Sequence, residues 1–238
     1  MKDAIRRNFD ESPGAYARYE ALTGRFGALA ERLLEAMTRR STEPVGTVLD
    51  AGSGTGISAR RFRASGATPT ALDISRAMLE ANPTADRVQG DFDRLPFGAD
   101  RFDAVAFTAS LFLTPDPDRA VREARRTLRR GGPVGAVAPL GWRTADGEDV
   151  FGSLPRASRS PTNASTVGAA LRKRFDVETG VWAFETTPEA LRAFHRVPAM
   201  AARLYPGSEP GERVERAEAL LADVEGPLRQ RWRWFVGV

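Results

Sequence analysis

The stretch that most constrains this chain is TVLDAGSGTGISARRF, residues 47–62. A short apolar run ends at Asp50, glycines follow at 52, 54 and 56, and a helix-like segment comes next. Glycine at alternate positions removes Cβ where a strand turns sharply into a helix. That permits positive φ and lets a ligand approach the backbone at the helix N-terminus. The pattern predicts an open α/β sheet with a ligand outside the carboxyl ends of its strands.

The rest of the chain keeps the alternation. Strands are expected at 68–73, 86–91, 102–110 and 133–140, with helices at 75–82, capped by Ser75, and at 116–130. The 102–110 strand is mostly apolar, as when both faces are covered. Repeated units of this kind predict a mostly parallel sheet with helices on both faces. Before it, Tyr16, Tyr19, Leu22, Phe26, Leu29, Leu33 and Met37 step by three and four, which predicts one helix over 15–40. After it, 141–165 reads as a long loop, 165–175 as a helix and 176–186 as a strand. Helices are expected at 187–203 and 210–223, and a final strand at 229–238. In that last strand Arg alternates with Trp, which reads as a half-buried strand with tryptophans inward rather than a base-stacking surface. The expected organisation is a single domain over 1–238: an N-terminal helical arm (1–44), a core (45–186), a helical insertion or cap (187–226) and a last strand (227–238).

Composition narrows the function classes. The 238 residues contain no cysteine, which excludes disulfides, thiolate metal sites and a cysteine nucleophile. With one histidine, His195, no metal is expected. No apolar run reaches the length of a membrane span and no secretory signal is evident, so a cytoplasmic protein is expected. Net charge is +4, yet basic and acidic residues are interspersed. The densest basic run, REARRTLRRGG, ends a helix, where cations suit the dipole, and no nucleic-acid partner is expected.

The glycine loop departs from the two common phosphate loops. Its spacing is not that of a dinucleotide fingerprint, and Gly56-Ile57-Ser58 lacks the lysine of a phosphate-binding loop. Asp50 lies two residues before the first glycine, where it repels a pyrophosphate but suits a ligand bearing an ammonium group. Asp73, ending the second strand, is placed to accept from both hydroxyls of a ribose. Asp91, ending the third, can accept from an exocyclic amine, and Phe92 beside it offers a flat apolar surface. Each acid alone reads equally well as a turn or cap. Together with the loop, they predict a zwitterionic or cationic nucleoside.

VLDAGSGTGISARRF, TALDISRAML, VQGDFDRLPFGADRFDAVAF and EARRTLRRGGPVGA resemble, in order and spacing, the motifs of class I S-adenosylmethionine-dependent methyltransferases over residues 45–140. The arm RRNFDESPGAYARYEALTG looks like the lead-in of the small-molecule branch, near quinone- and biotin-pathway enzymes. The resemblance implies a Rossmann-like seven-stranded sheet of order 3-2-1-4-5-7-6 with the last strand antiparallel. It implies S-adenosyl-L-methionine as cofactor. Asp50 and the loop of Gly52, Ser53, Gly54 and Gly56 would hold its methionine portion, Asp73 the ribose, and Asp91 with Phe92 the adenine, with Ala51 and Ile74 also among the cofactor-binding residues. Thr108 would line the sulfonium, and Tyr16 would lie over the cofactor.

The implied activity is methyl transfer to a small-molecule acceptor by in-line displacement, which needs alignment and exclusion of water above all. FTASLFLTPDPD lacks the asparagine-proline-proline-tyrosine type signature that would indicate a DNA-adenine or amide substrate. His195, on a helix of the insertion, is a weak candidate base; a surface or interhelical histidine is the preferred reading. Trp142, Phe151, Trp182, Met200 and Tyr205 read as either pocket wall or core. Two other functions remain open: a binding or scaffold protein that has lost transfer, and a dinucleotide-dependent oxidoreductase. Beyond residue 140 no substrate-specific motif is recognisable.

Overall fold

The computed structural model describes residues 2–152 and 163–238. The arm comprises α1 (Lys2–Asp10), α2 (Pro13–Thr23) and α3 (Arg25–Arg40). The helix expected over 15–40 is therefore two. Gly24 adopts φ 57° and caps α2, its N–H donating to the Glu20 carbonyl. The Glu20 carboxylate then accepts from the Phe26 and Gly27 N–H groups at 2.8 and 3.1 Å, which satisfies the first turn of α3. The apolar stripe survives the break except at Leu22, which lies at the corner and is 53% exposed.

The sheet units follow in the expected order: β1 (Thr47–Ala51), α4 (Ile57–Ala64), β2 (Thr68–Asp73), α5 (Arg76–Glu80), β3 (Arg87–Gln89), β4 (Ala104–Phe107), α6 (Pro117–Thr127) and β5 (Val134–Thr144). The Ser75 hydroxyl caps α5 by accepting from Met78 N–H at 3.1 Å. Then come α7 (Ala164–Arg172), β6 (Val177–Thr186), α8 (Pro188–His195), α9 (Pro198–Leu204), α10 (Pro210–Leu221) and β7 (Leu228–Gly237). Seven strands form one sheet of order β3-β2-β1-β4-β5-β7-β6. The pairings among β1 to β5 are parallel, and β7 runs antiparallel to both β5 and β6.

That order steps one way from β1 to β3 and the other way from β1 to β5. Right-handed crossovers therefore lay α4 and α5 on one face and α6 on the other. β4, at the centre, is buried at all four residues. Val105, Phe107, Leu49 and Val137 are fully buried with Leu33 and Met37 of α3.

Several boundaries differ from expectation. Residues 141–144, expected in a loop, prolong β5, because β7 pairs with them from Gly141↔Arg231 to Thr144↔Leu228. The register shifts between Pro139 and Gly141, a bulge that leaves Leu140 out of the pairing. The helix expected over 187–203 is broken before Pro198. Proline cannot continue the hydrogen-bond ladder, and Val197 before it is extended. The expected strands at 86–91 and 102–110 contract to Arg87–Gln89 and Ala104–Phe107. The middle of the expected 141–165 loop, residues 153–162, lies outside the described residues. The final strand alternates as expected, with Trp232 buried and Trp234 half-buried. Among the described residues, no helix is long and apolar enough to cross a membrane.

Candidate functional site

The order reverses between β1 and β4, and adjacent crossovers leave a crevice at the carboxyl ends there. A cleft of about 900 Å³, part of it open to solvent, occupies this place. That is room for a ligand of nucleoside size. Gly52, Ser53, Gly54, Asp73, Asp91 and Phe92 line it, together with Ile74, Thr108 and Tyr16. Nine of the twelve residues expected to bind the cofactor are thus brought together.

The loop after β1 is tied down on every side. Gly52 and Ser53 N–H groups donate to the Leu72 carbonyl at 2.8 and 3.0 Å. The Ser110 hydroxyl donates to the Ala51 carbonyl at 2.5 Å. The three glycines do different work. A Cβ on Gly52 would run into Ser110, and one on Gly56 into the Asn82 amide. Gly54 has φ 52° and nothing within 4 Å of where a Cβ would sit. Only the middle glycine holds space open towards a ligand. The outer two let the loop pack against its supports.

Asp73 is 6% exposed and shared between backbone and cleft. Its Oδ2 accepts from Gly54 N–H at 2.8 Å and its Oδ1 from Ser75 N–H at 2.9 Å. Each oxygen keeps a second lone pair. Burial pushes its pKa up to about 6; the Ser75 and Gly54 N–H groups pull it back, and Asp10 adds a push upward. Asp50 is fully buried behind the loop and is not among the lining residues; neither are Ala51 and Gly56. The Ser58 hydroxyl donates to its Oδ2, while its Oδ1 has no hydrogen-bond partner among the described residues. Burial pushes its pKa up to about 7 against the Ser58 hydrogen bond, and the Asp73 charge raises it further. Asp73 beside the loop, charged above about pH 6, and Asp50 behind it, part-charged near pH 7, make a field that favours a cation.

On the other wall, the Phe92 ring stands edge-on to Phe107 at 5.7 Å and 87°. Thr108 directly follows β4, with its Oγ1 buried and without a hydrogen-bond partner among the described residues. Ala109 next to it has φ 60°, a strained backbone for a residue with a Cβ, on the cleft wall. Tyr16 lies between Phe9 and Phe26, with ring centroids 6.3 and 5.3 Å away. Burial, then the Asp73 charge, pushes its hydroxyl well above the usual phenol range, so it stays protonated.

His195 is elsewhere. It is buried among Trp142, Phe151 and Phe194, and its Nδ1 lies 2.9 Å from the Leu191 carbonyl. Burial pushes its pKa down to about 4, so the ring is neutral at physiological pH. It is not among the described residues that line the cleft. Trp142, Phe151, Met200 and Tyr205 are likewise buried core, and Trp182 stacks on Trp234 at 5.8 Å.

Two contributors escaped the sequence reading. Asn82, read only as the end of a helix, is 1% exposed and donates to the Ser53 hydroxyl and the Gly54 carbonyl at 3.2 and 3.1 Å. α1 lays Lys2, Ile5 and Phe9 over the cleft. Their spacing of three and four was a legible helix signal. The Lys2 ammonium binds Asp91 at 2.6 Å and also Asp93.

The open side of Gly54, the free lone pairs of Asp73 and the unpartnered Thr108 hydroxyl fit an adenine nucleoside with a cationic tail. Residues 49–135 match the family described as methyltransferase domain. The demethylmenaquinone methyltransferase of Clavibacter sepedonicus is 35% identical over 135 residues, covering 53% of this chain and 54% of that protein. The malonyl-[acyl-carrier protein] O-methyltransferase of Erwinia pyrifoliae is 37% identical over 143 residues, covering 56% and 50%. The chain thus spans about half the length of these relatives. Among solved structures, a Haemonchus contortus phosphoethanolamine N-methyltransferase in complex with S-adenosylhomocysteine aligns with TM-score 0.56 and 16% identity, over 98% of this chain and 60% of that one. The [4+2]-cyclase SpnF aligns with TM-score 0.53 and 22% identity, over 87% and 80%. Such identities speak for the fold alone. Residues 49–135, with the sheet order and glycine cradle around them, are thus similar to the methyltransferase-domain family.

Proposed function

We propose that the chain is an S-adenosylmethionine-dependent methyltransferase acting on a small-molecule acceptor, with 45–186 as its donor-binding core inside one domain. The observation that carries this is Asp73: a carboxylate at the end of β2, held by Gly54 and Ser75 N–H groups, with lone pairs left over in the cleft wall. Asp73 accepts from the ribose hydroxyls and Asp91 from the adenine amine, while Phe92 lies against the ring. Asp50 acts from behind the loop, through Ser58 and through its charge. When bound, the donor supplies a sulfonium-activated methyl group. The protein aligns the acceptor with it, and the apolar walls from Phe9, Tyr16 and Phe26 keep water out. Tyr16, protonated, offers a hydrogen bond rather than a base.

Two relatives named for unlike acceptors share similarity with this chain over about half its length. That supports placing acceptor choice largely outside the shared half, in the arm and in residues beyond 140. A structure titled as a [4+2]-cyclase has the same fold, so fold alone does not entail transfer. Calorimetric titration with S-adenosylmethionine, S-adenosylhomocysteine and NAD tests the donor. Binding of NAD and not of the sulfonium nucleoside would overturn the proposal. Transfer of labelled methyl from the donor into a metabolite extract tests the reaction, and tight donor binding without transfer would favour a binding protein.

A further inference from the structure

α1 covers the cleft and, among the described residues, touches the core only at its C-terminal end, through Phe9. It is 9 residues long, about 13 Å, and none of its residues is buried. Ile5 and Phe9 nevertheless face the cleft. Its two ends are held differently. At the C-terminal end Ser12 is fully buried; its hydroxyl donates to the Asn8 carbonyl at 2.6 Å and accepts from Ala199 N–H at 3.2 Å. Pro13 then begins α2, so the helix cannot run on. Asp10 accepts from the Ser75 hydroxyl at 2.6 Å, and Asn8 accepts from Arg213 at 2.6 Å. All these ties lie within the last three residues of α1 or just after it.

At the far end, among the described residues, Lys2 supplies the hold. Its ammonium sits between Asp91 and Asp93. Asp93 is buried and is itself fixed by the Thr114 hydroxyl at 3.0 Å. Asp91 is half-exposed and lines the cleft at the end assigned to the adenine. A helix fixed at one end, carrying apolar side chains over a ligand cleft and pinned at the other end by one ammonium on two carboxylates, has the build of a hinged cover.

We propose that α1 is a cover over the donor cleft that pivots at Ser12–Pro13, and that the hold of Lys2 on Asp91 and Asp93 is the clasp that limits donor exchange. The cover itself is argued from geometry alone; its control of exchange rests on the donor reading above. The test compares wild-type full chain with Lys2→Met and Lys2→Arg. Hydrogen–deuterium exchange without nucleoside reads the clasp directly: α1 amides in Lys2→Met exchange roughly tenfold faster, the scale of one charge-assisted pair, and Lys2→Arg restores slow exchange. Release of tritiated S-adenosylhomocysteine in a chase accelerates by a similar factor in Lys2→Met. Equal α1 exchange in wild type and Lys2→Met overturns the clasp. Faster α1 exchange with unchanged release overturns its control of the cleft. If the wild type fails to bind the nucleoside, the donor reading falls, and α1 exchange still decides the cover.

Discussion

Asn82 occupies the space that a side chain at Gly56 would need. Its Oδ1 accepts from Thr84 N–H at 3.0 Å, which fixes the amide, and its Nδ2 then holds the Gly54 carbonyl. Gly56, one of the three glycines expected to hold the ligand, is a packing partner of a buried amide one helix away. Asn82→Ala should therefore loosen the loop without touching the ligand. The expected outcome is about tenfold weaker S-adenosylhomocysteine binding by calorimetry, from loss of two hydrogen bonds to the loop, with the circular dichroism spectrum unchanged. Unchanged affinity would mean that the loop is held by its Leu72 and Ser110 ties alone.

Asp73→Asn keeps the shape of the site and removes its charge. Nucleoside affinity should fall about a hundredfold, since hydrogen bonds to a charged acceptor are worth roughly 1.5–3 kcal/mol. Affinity within threefold of wild type removes the ribose assignment.

The same carboxylate sets a pH dependence. With the pKa of Asp73 raised to about 6, its charged form is lost as pH falls through 6. Binding should be level above about pH 7 and weaken by up to about tenfold per unit below 6, as measured by titration between pH 8 and 5. A flat profile would separate binding from this group.

Asp50 bears on stability. Its pKa is raised from 3.8 to about 7 by folding, so the native state holds a proton more readily than the unfolded chain. Its charged form therefore costs stability above pH 7, and the penalty vanishes as pH falls towards 4. Asp50→Asn should melt several degrees higher than wild type at pH 8, with the gap narrowing steadily towards pH 4 in differential scanning calorimetry. An equal or lower melting temperature at pH 8 would show that Asp50 is charge-compensated in the apo chain.

His195 provides a negative test. Neutral, buried and hydrogen-bonded to its own helix, it is placed to pack. His195→Phe should keep methyl transfer within about threefold and leave the pH–rate profile without change between 6 and 7. A general base would lose about a hundredfold or more.

Much of the fold was legible because its signals are local. Apolar runs bounded by acids and glycines mark β1, β2 and β4, and Ser75, Asp116 and Thr187 cap the helices they precede. The motif order over 45–140 carried the sheet order through resemblance. Boundaries failed where a distant partner decides them. β5 runs on to Thr144 because β7, some ninety residues later, pairs with it. The acids of the rim were legible as a set, since strand ends are visible in sequence. Their division of labour was not: Asp50 faces Ser58 behind the loop, and Asp91 is engaged by Lys2.

By itself, the order of residues determined which segments become strands and helices and which side chains gather at one rim, because periodicity and turn chemistry act over a few residues. Only the tertiary structure decided which glycine faces open space, which carboxylate is sealed from the cleft, that His195 is packed away, and that the first helix lies across the site. Those outcomes depend on what stands within a few ångströms across the fold, and no spacing along the chain encodes that distance.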